Sequence, residues 1–210
     1  MSTNTPADYF EAMYRNTDDP WHLSERWYEQ RKYALTTAAL PRAHYRSAFE
    51  PACSVGALSD LLAPRCQQLL SCDRSPRAVA AATARLAAHP HVKVEHRLIP
   101  EQWPAGTFDL IVLSEFLYYL GPQSVERILD RAVRSLEPGG TLVAVHWRRS
   151  VPDHSQSGAA VHRAVRLTPG LVRIAAHSEP DFLLDVLVRP HSMDVTDPAR
   201  LSVAAAEGLA

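Results

Sequence analysis

Two acids, Glu50 and Asp73, bracket the run of small residues Ala52-Cys53-Ser54-Val55-Gly56 and carry the clearest chemical promise in the chain. The apolar lead-in Ser47-Ala48-Phe49 stops at Glu50, and a helix-like segment over residues 55–63 follows the small residues at once. A strand, a tight turn and a helix N-terminus in that order leave backbone N–H groups and a helix dipole free to receive a ligand. A second strand over residues 68–72 ends on Asp73, 17 residues past Gly56. A carboxylate there suits hydrogen bonding to both hydroxyls of a ribose. Glu50 suits either holding the loop or meeting a ligand's ammonium. Ser114 and Glu115 end another apolar run, at the carboxyl edge of a sheet where ligands bind in open α/β folds. Glu115 is the polar group best placed to face a reacting centre.

The elements that must position these groups follow from pattern. Residues 8–14 suit a short helix, and 16–20 form a turn cluster. Ser24 is the expected cap of a stronger helix that runs through Trp27, Arg31 and Ala38 until Pro41 stops it. Trp27 and Arg31 share a face of it, as a lid over the ligand or simply as part of a docked helix. Ser75-Pro76 opens a helix through residues 79–87, and 91–96 alternate as a third strand. Residues 98–104 form a loop, and 108–113 are a nearly continuous apolar run, as a parallel strand buried on both faces requires. An amphipathic helix over 124–136, a turn at 137–140 and a fifth strand at 141–147 follow. After a helix over 155–167, the strands 170–176 and 182–188 are joined by only five residues. That is too short for a helical crossover, so they must pair antiparallel. The expectation is a single α/β domain over 1–190: a doubly wound, Rossmann-like seven-stranded sheet, mostly parallel, with an antiparallel C-terminal hairpin. Residues 1–45 are expected to form a helical lid, and 191–210 a tail without a strong pattern, its alanine-rich end 203–210 frayed or disordered.

Composition narrows the partners. The chain has 210 residues, 46% of them hydrophobic and 21% charged, with a net charge of −1. That balance suggests neither nucleic acid nor a membrane surface as a partner. Cys53, Cys66 and Cys72 lack metal-ligand spacing, so no metal is expected and the thiols should be reduced, as in a cytoplasmic protein. The oligomeric state is open, a homodimer included.

Five βα units closed by a hairpin resemble the class I S-adenosylmethionine-dependent methyltransferases. Glu50 matches the acid of that family's first motif, Ala52 and Ser54 stand where its first two glycines do, and Gly56 matches the third. Asp73 matches the acid that ends the second strand. Phe108-Asp109-Leu110-Ile111 with Ser114-Glu115 resembles the fourth-strand motif, and Leu136-Glu137-Pro138-Gly139-Gly140-Thr141-Leu142 the turn before strand five. Asp19-Pro20-Trp21, residues 27–35 and 49–56, Tyr118-Tyr119 and His146-Trp147 are similar more narrowly to the nodulation protein S-like methyltransferases. That group's namesake N-methylates the amine of a deacetylated chitooligosaccharide. In that group the position of Ala52 is normally glycine. Alanine is strained there if φ must be positive, and mild if it is negative.

The resemblance implies S-adenosylmethionine as cofactor, with S-adenosylhomocysteine as product, and a small-molecule acceptor. It implies a cofactor pocket from Trp21, Trp27, Arg31, Glu50, Ala52, Cys53, Ser54, Gly56, Asp73, Arg74, Ile99, Pro100, Ser114, Glu115 and Phe116. Glu115 and His146 are the candidate bases, and Tyr118 and Tyr119 the acceptor wall. Asp153 and His154 lie in the loop beyond, where acceptor-binding residues would sit. His89, His91 and His96 surround an exposed strand. Methylation of oxygen or carbon would use the same cofactor residues, and a non-catalytic cofactor-binding partner is the rival outside enzymes. A nicotinamide dehydrogenase needs Gly-x-Gly-x-x-Gly, which residues 52–56 do not supply.

Overall fold

The computed structural model describes residues 4–192 and 195–209. Two helices, α1 (Ala7–Met13) and α2 (Trp27–Ala38), precede the sheet. Then come β1 (Ala48–Pro51), α3 (Ala57–Leu62), β2 (Leu69–Asp73), α4 (Pro76–Arg85), β3 (Val92–His96) and β4 (Phe108–Ser114). The second half runs α5 (Pro122–Ser135), β5 (Leu136–Trp147), α6 (Gly158–Arg166), β6 (Val172–Ser178) and β7 (Phe182–Val188).

The seven strands lie in the order β3-β2-β1-β4-β5-β7-β6. Strands β1 to β5 pair parallel, and β7 runs antiparallel to both β5 and β6. The chain leaves β1 toward β2 on one side and returns to β4 on the other. This is the topological switch point at which such sheets open a crevice.

Strand β4 is buried at all seven positions, which its unbroken apolar pattern requires. Its side chains alternate between two cores. Ile111 and Leu113 pack with Val125, Ile128 and Leu129 of α5 and Val161 and Val165 of α6. Leu110 and Val112 face Leu58 and Leu62 of α3 and Tyr33 of α2. Asp109, at the start of the strand, accepts the N–H groups of Arg46 and Ser47, both at 2.9 Å, and so fixes the entry into β1.

Three local expectations need correction. Ser24 does not cap α2: Arg26 precedes it, and the Asp19 carboxylate instead accepts the N–H groups of Leu23 and Ser24. Residues 137–140 are not a free turn but part of β5, because Gly139 N donates to Arg189 O (2.6 Å) and Arg189 N to Gly140 O (2.9 Å). The end of the chain carries a short 3-10 turn, Pro198–Leu201, and α7 (Val203–Ala206), capped by Asp197 and Ser202 side chains. Met193, Asp194 and Ala210 lie outside the described residues. Among the described residues no helix is long and apolar enough to cross a membrane.

Candidate functional site

A cavity of about 700 Å³ opens at the carboxyl ends of β1, β2 and β4, roofed by the N-terminal segment. Its first half is built by the turn after β1. Ala52 (φ 57°), Ser54 (φ 50°) and Gly56 (φ 75°) are all left-handed, so the chain reverses within five residues. A Cβ on Gly56 would lie 3.2 Å from both Ala82 and Leu86, because α4 packs directly on this turn. The Asp73 carboxylate holds the arrangement from below: one oxygen accepts Ser54 N (3.0 Å) and the other Ser75 N (2.8 Å). Burial pushes this acid up, and the backbone donors of Ser75, Ser54 and Arg74 oppose that. Each oxygen keeps a lone pair, and Asp73 lines the cavity. Glu50 is 2% exposed and takes hydrogen bonds from the Ser59 and Ser71 hydroxyls. Burial still raises it to about 7.

The other half is built by α2 and the end of β4. The inward face of α2 carries Tyr28, Glu29, Lys32, Tyr33 and Thr36, spaced as one helical face. Lys32 is 2% exposed, with its ammonium 2.6 Å from Glu115 Oε1 and 2.8 Å from Glu29 Oε2. The Glu29 contact is an ion pair without hydrogen-bond alignment, so that oxygen has no hydrogen-bond partner. Burial alone would lower the lysine, yet Glu115 and Glu29 together hold it above its ordinary value. Glu115 Oε2 accepts the Tyr118 hydroxyl (2.7 Å) and Trp147 N (2.8 Å). Glu115 is itself left-handed (φ 56°), a strained backbone that three fixed donors hold in place. Tyr28 faces the same space with a buried hydroxyl that has no hydrogen-bond partner.

Of the residues proposed from sequence, Trp21, Glu50, Ala52, Cys53 and Ser54 line the cavity. So do Asp73, Arg74, Ile99, Ser114, Glu115 and Phe116, together with Tyr118 and Tyr119. Five do not. Trp27 is 73% exposed on the outer face of α2. Arg31 lies on that face too, and its guanidinium makes two bonds to Glu179 (2.8 and 2.9 Å), fastening α2 to the β6–β7 turn. Gly56 acts through its backbone and close packing. Pro100 is buried beside Ile99 without reaching the space. His146 is fully buried behind the wall, its Nδ1 3.2 Å from His162 Nε2, with His162 Nδ1 2.6 Å from Asp185. Burial, then the charge of His162, keeps His146 well below the ordinary histidine value. Sequence reasoning missed Glu29, Lys32, Tyr28 and Tyr14. The available signal was Tyr28, Tyr33 and Thr36 at helical spacing, which puts Glu29 and Lys32 on a buried face as an opposite-charge pair.

The profile of the nodulation protein S (NodS) family matches residues 7–164. The chain belongs to that family. Its fold is shared with solved methyltransferases. Nodulation protein S of Rhizobium tropici is 34% identical over 140 residues, 65% of this chain and 59% of that protein. The matches span between 59% and 66% of the length of the curated NodS relatives, less than two thirds of each. A crystal structure of N-methyltransferase NodS from Bradyrhizobium japonicum WM9, in complex with S-adenosyl-l-homocysteine, is similar with TM-score 0.77 and 27% identity. That likeness covers 87% of this chain and 97% of the other. A crystal structure of a proposed methyltransferase from Pseudomonas syringae is 48% identical, covering 78% of this chain and all of that one, with TM-score 0.70.

Two predictions follow from the NodS-type turn as this chain builds it. A left-handed alanine costs about 1–2 kcal/mol, part of which glycine recovers. Ala52→Gly should therefore raise the melting temperature by roughly 2–4 °C; an unchanged or lower value would mean that Ala52 is unstrained. For Glu50, the folded protein holds the proton up to about pH 7, whereas an ordinary glutamate loses it near 4.5. The native state thus binds more protons in that window, and stability falls as pH rises through it, by about 3 kcal/mol in all. Melting curves from about pH 5 to pH 8 should show Glu50→Gln gaining on wild type as pH rises. A constant difference would contradict the assignment.

Proposed function

We propose that the protein transfers a methyl group from S-adenosylmethionine to the amine of a small acceptor, an amino sugar or a related metabolite. The observation that carries the amine reading is the ion cluster at the inner end of the cavity. Two carboxylates, Glu29 and Glu115, share the single ammonium of Lys32, which leaves one negative charge to draw a cationic acceptor. Tyr28 and Trp147, edge to face at 5.5 Å, add aromatic surface suited to a sugar ring, with the free Tyr28 hydroxyl beside it. The name N-methyltransferase, carried by the solved NodS relative, supports the same reading.

The residues present fit the cofactor. Asp73 offers two unused lone pairs to a ribose, Ser54 and its neighbours bring backbone close to the ligand, and Ile99 and Phe116 give apolar walls for a base. Glu50 sits beneath the turn, so a cationic ligand above it would favour its ionised form. When bound, S-adenosylmethionine supplies a methyl group already activated by its sulfonium charge. The protein's task is then to orient, to dehydrate and to manage one proton. Lys32, Tyr118 and Trp147 N aim Glu115 at the cavity. Tyr9, Phe10 and Tyr14 of the N-terminal segment line the roof, and we assign that segment the role of a lid that excludes water. All three cysteines are free and buried, in keeping with a place in the cytoplasm.

The test has two stages. At about 100 times its dissociation constant, S-adenosylhomocysteine should stabilise the protein by about 2.7 kcal/mol, and NAD should not. Asp73→Ala should abolish that rise. Labelled methyl transfer is then compared across glucosamine, its short oligomers and hydroxyl analogues that lack the amine. Transfer to the amines alone is the expected result. Transfer to the hydroxyl analogues would replace the reading with O-methylation, and cofactor binding without transfer to any small acceptor would favour a non-catalytic role.

A further inference from the structure

Methylation of an amine releases a proton, and the residues assigned so far do not receive it. Glu115 has three donors on its two oxygens, an arrangement that orients the carboxylate. Lys32 is held as a cation, and His146 does not reach the cavity. Among the described residues, His154 is the one imidazole that lines it.

The placement of His154 is specific. Its ring stacks flat on Tyr118, with centroids 3.9 Å apart and planes 12° from parallel, and meets Tyr119 edge-on at 4.9 Å. Tyr118 is the residue whose hydroxyl bonds Glu115, so the imidazole lies one ring away from the ion cluster. The loop that carries it is stitched to the tyrosine turn. Gln156 N donates to Tyr118 O (3.2 Å), the Ser155 hydroxyl to Tyr119 O (3.1 Å) and the Gln156 amide to Leu120 O (2.7 Å). Thr5 Oγ1 donates to Asp153 O (2.8 Å), which ties the same loop to the N-terminal segment. His154 N donates to Val151 O, and among the described residues no group engages either ring nitrogen.

We propose that His154 is the general base of the transfer, accepting the proton that the acceptor loses. The inference rests on the methyltransferase reading above. The ring is half-buried, and burial holds it below the ordinary histidine value against the pull of Glu115 and Asp153. It is therefore available as a neutral base at neutral pH. His146, which burial holds well below the ordinary histidine value, meets Tyr118 edge to face at 5.6 Å. Once protonated, the ring is stabilised by the Glu115 and Asp153 carboxylates and by the Tyr118 face beneath it. One proton passes from the acceptor's ammonium to the imidazole and then to water at the cavity mouth. The nitrogen lone pair so freed forms the bond to carbon, while the electron pair of the broken C–S bond stays on sulfur.

Two measurements on the full chain test this. In His154→Ala, the melting rise with S-adenosylhomocysteine should persist while turnover falls by about 10²–10⁴-fold. Added imidazole should restore part of it, and the acidic limb of the kcat/KM profile set by the ring should disappear in His154→Gln. Turnover within about threefold of wild type, or an equal loss at every pH without imidazole rescue, would overturn the proposal. The second measurement needs no acceptor: the His154 ring, titrated by NMR, should have a lower pKa with S-adenosylmethionine bound than with S-adenosylhomocysteine, because only the former presents a sulfonium charge. Identical values would place the ring away from the reacting centre and overturn the assignment. A shifted value with no amine methylated would support His154 as base for a different acceptor atom and would overturn only the amine reading.

Discussion

An ammonium taken out of water must be paired, and the burial of Lys32 is the constraint on which the working end of this protein depends. Removing a charge from solvent costs several kcal/mol, which is recovered only by close partners with further donors behind them. Glu29 supplies one partner from the same helix, and Glu115 the other from the sheet. Glu115 reaches the ammonium only by turning left-handed at the end of β4, and it is held there by Tyr118 and by the backbone of β5. One ion pair thus locks α2 onto the sheet and aims a carboxylate into the cavity. It also fixes the tyrosine against which His154 stacks.

The cofactor end obeys a different constraint. A chain that must bring bare backbone against a ligand has little room for side chains, and here it turns left-handed at Ala52, Ser54 and Gly56. Only the last is a glycine. The turn survives because Asp73 accepts N–H groups on both sides of the crevice and because Gly56 lets α4 approach closely. The carboxylate that braces the turn is thus also one that faces the cavity. Strain at Ala52 is the cost of departing from glycine in a turn whose shape is dictated by what it holds.

Much of the fold was legible in sequence because its signals are local. The continuous apolar run of β4 can only be a strand buried on both faces, and five residues between 177 and 181 cannot carry a crossover. The placement of Glu50, Asp73 and Glu115 beside the cavity was legible because each lies at or next to the end of a strand. The charged face of α2 was not, since acids and lysines are ordinarily placed in water, and Glu29 and Lys32 become interior only once Glu115 arrives from 83 residues away. Trp27 and Arg31 erred in the opposite direction: an aromatic and a guanidinium one turn apart suggest a pocket, yet the buried face of the helix lies beside them. His146 had the right position along β5 but the wrong side of it, where His162 and Asp185 receive it.

The most direct measurement of the central claim is a double-mutant cycle between Lys32→Met and Glu115→Gln, read by denaturant unfolding and by S-adenosylhomocysteine affinity. Each single change strands a buried partner and should destabilise by about 3–5 kcal/mol, whereas the double variant should lose much less than the sum, with cofactor affinity nearly unchanged throughout. Additive losses would mean that the two charges do not depend on one another, and the ion pair would then not be what organises the site.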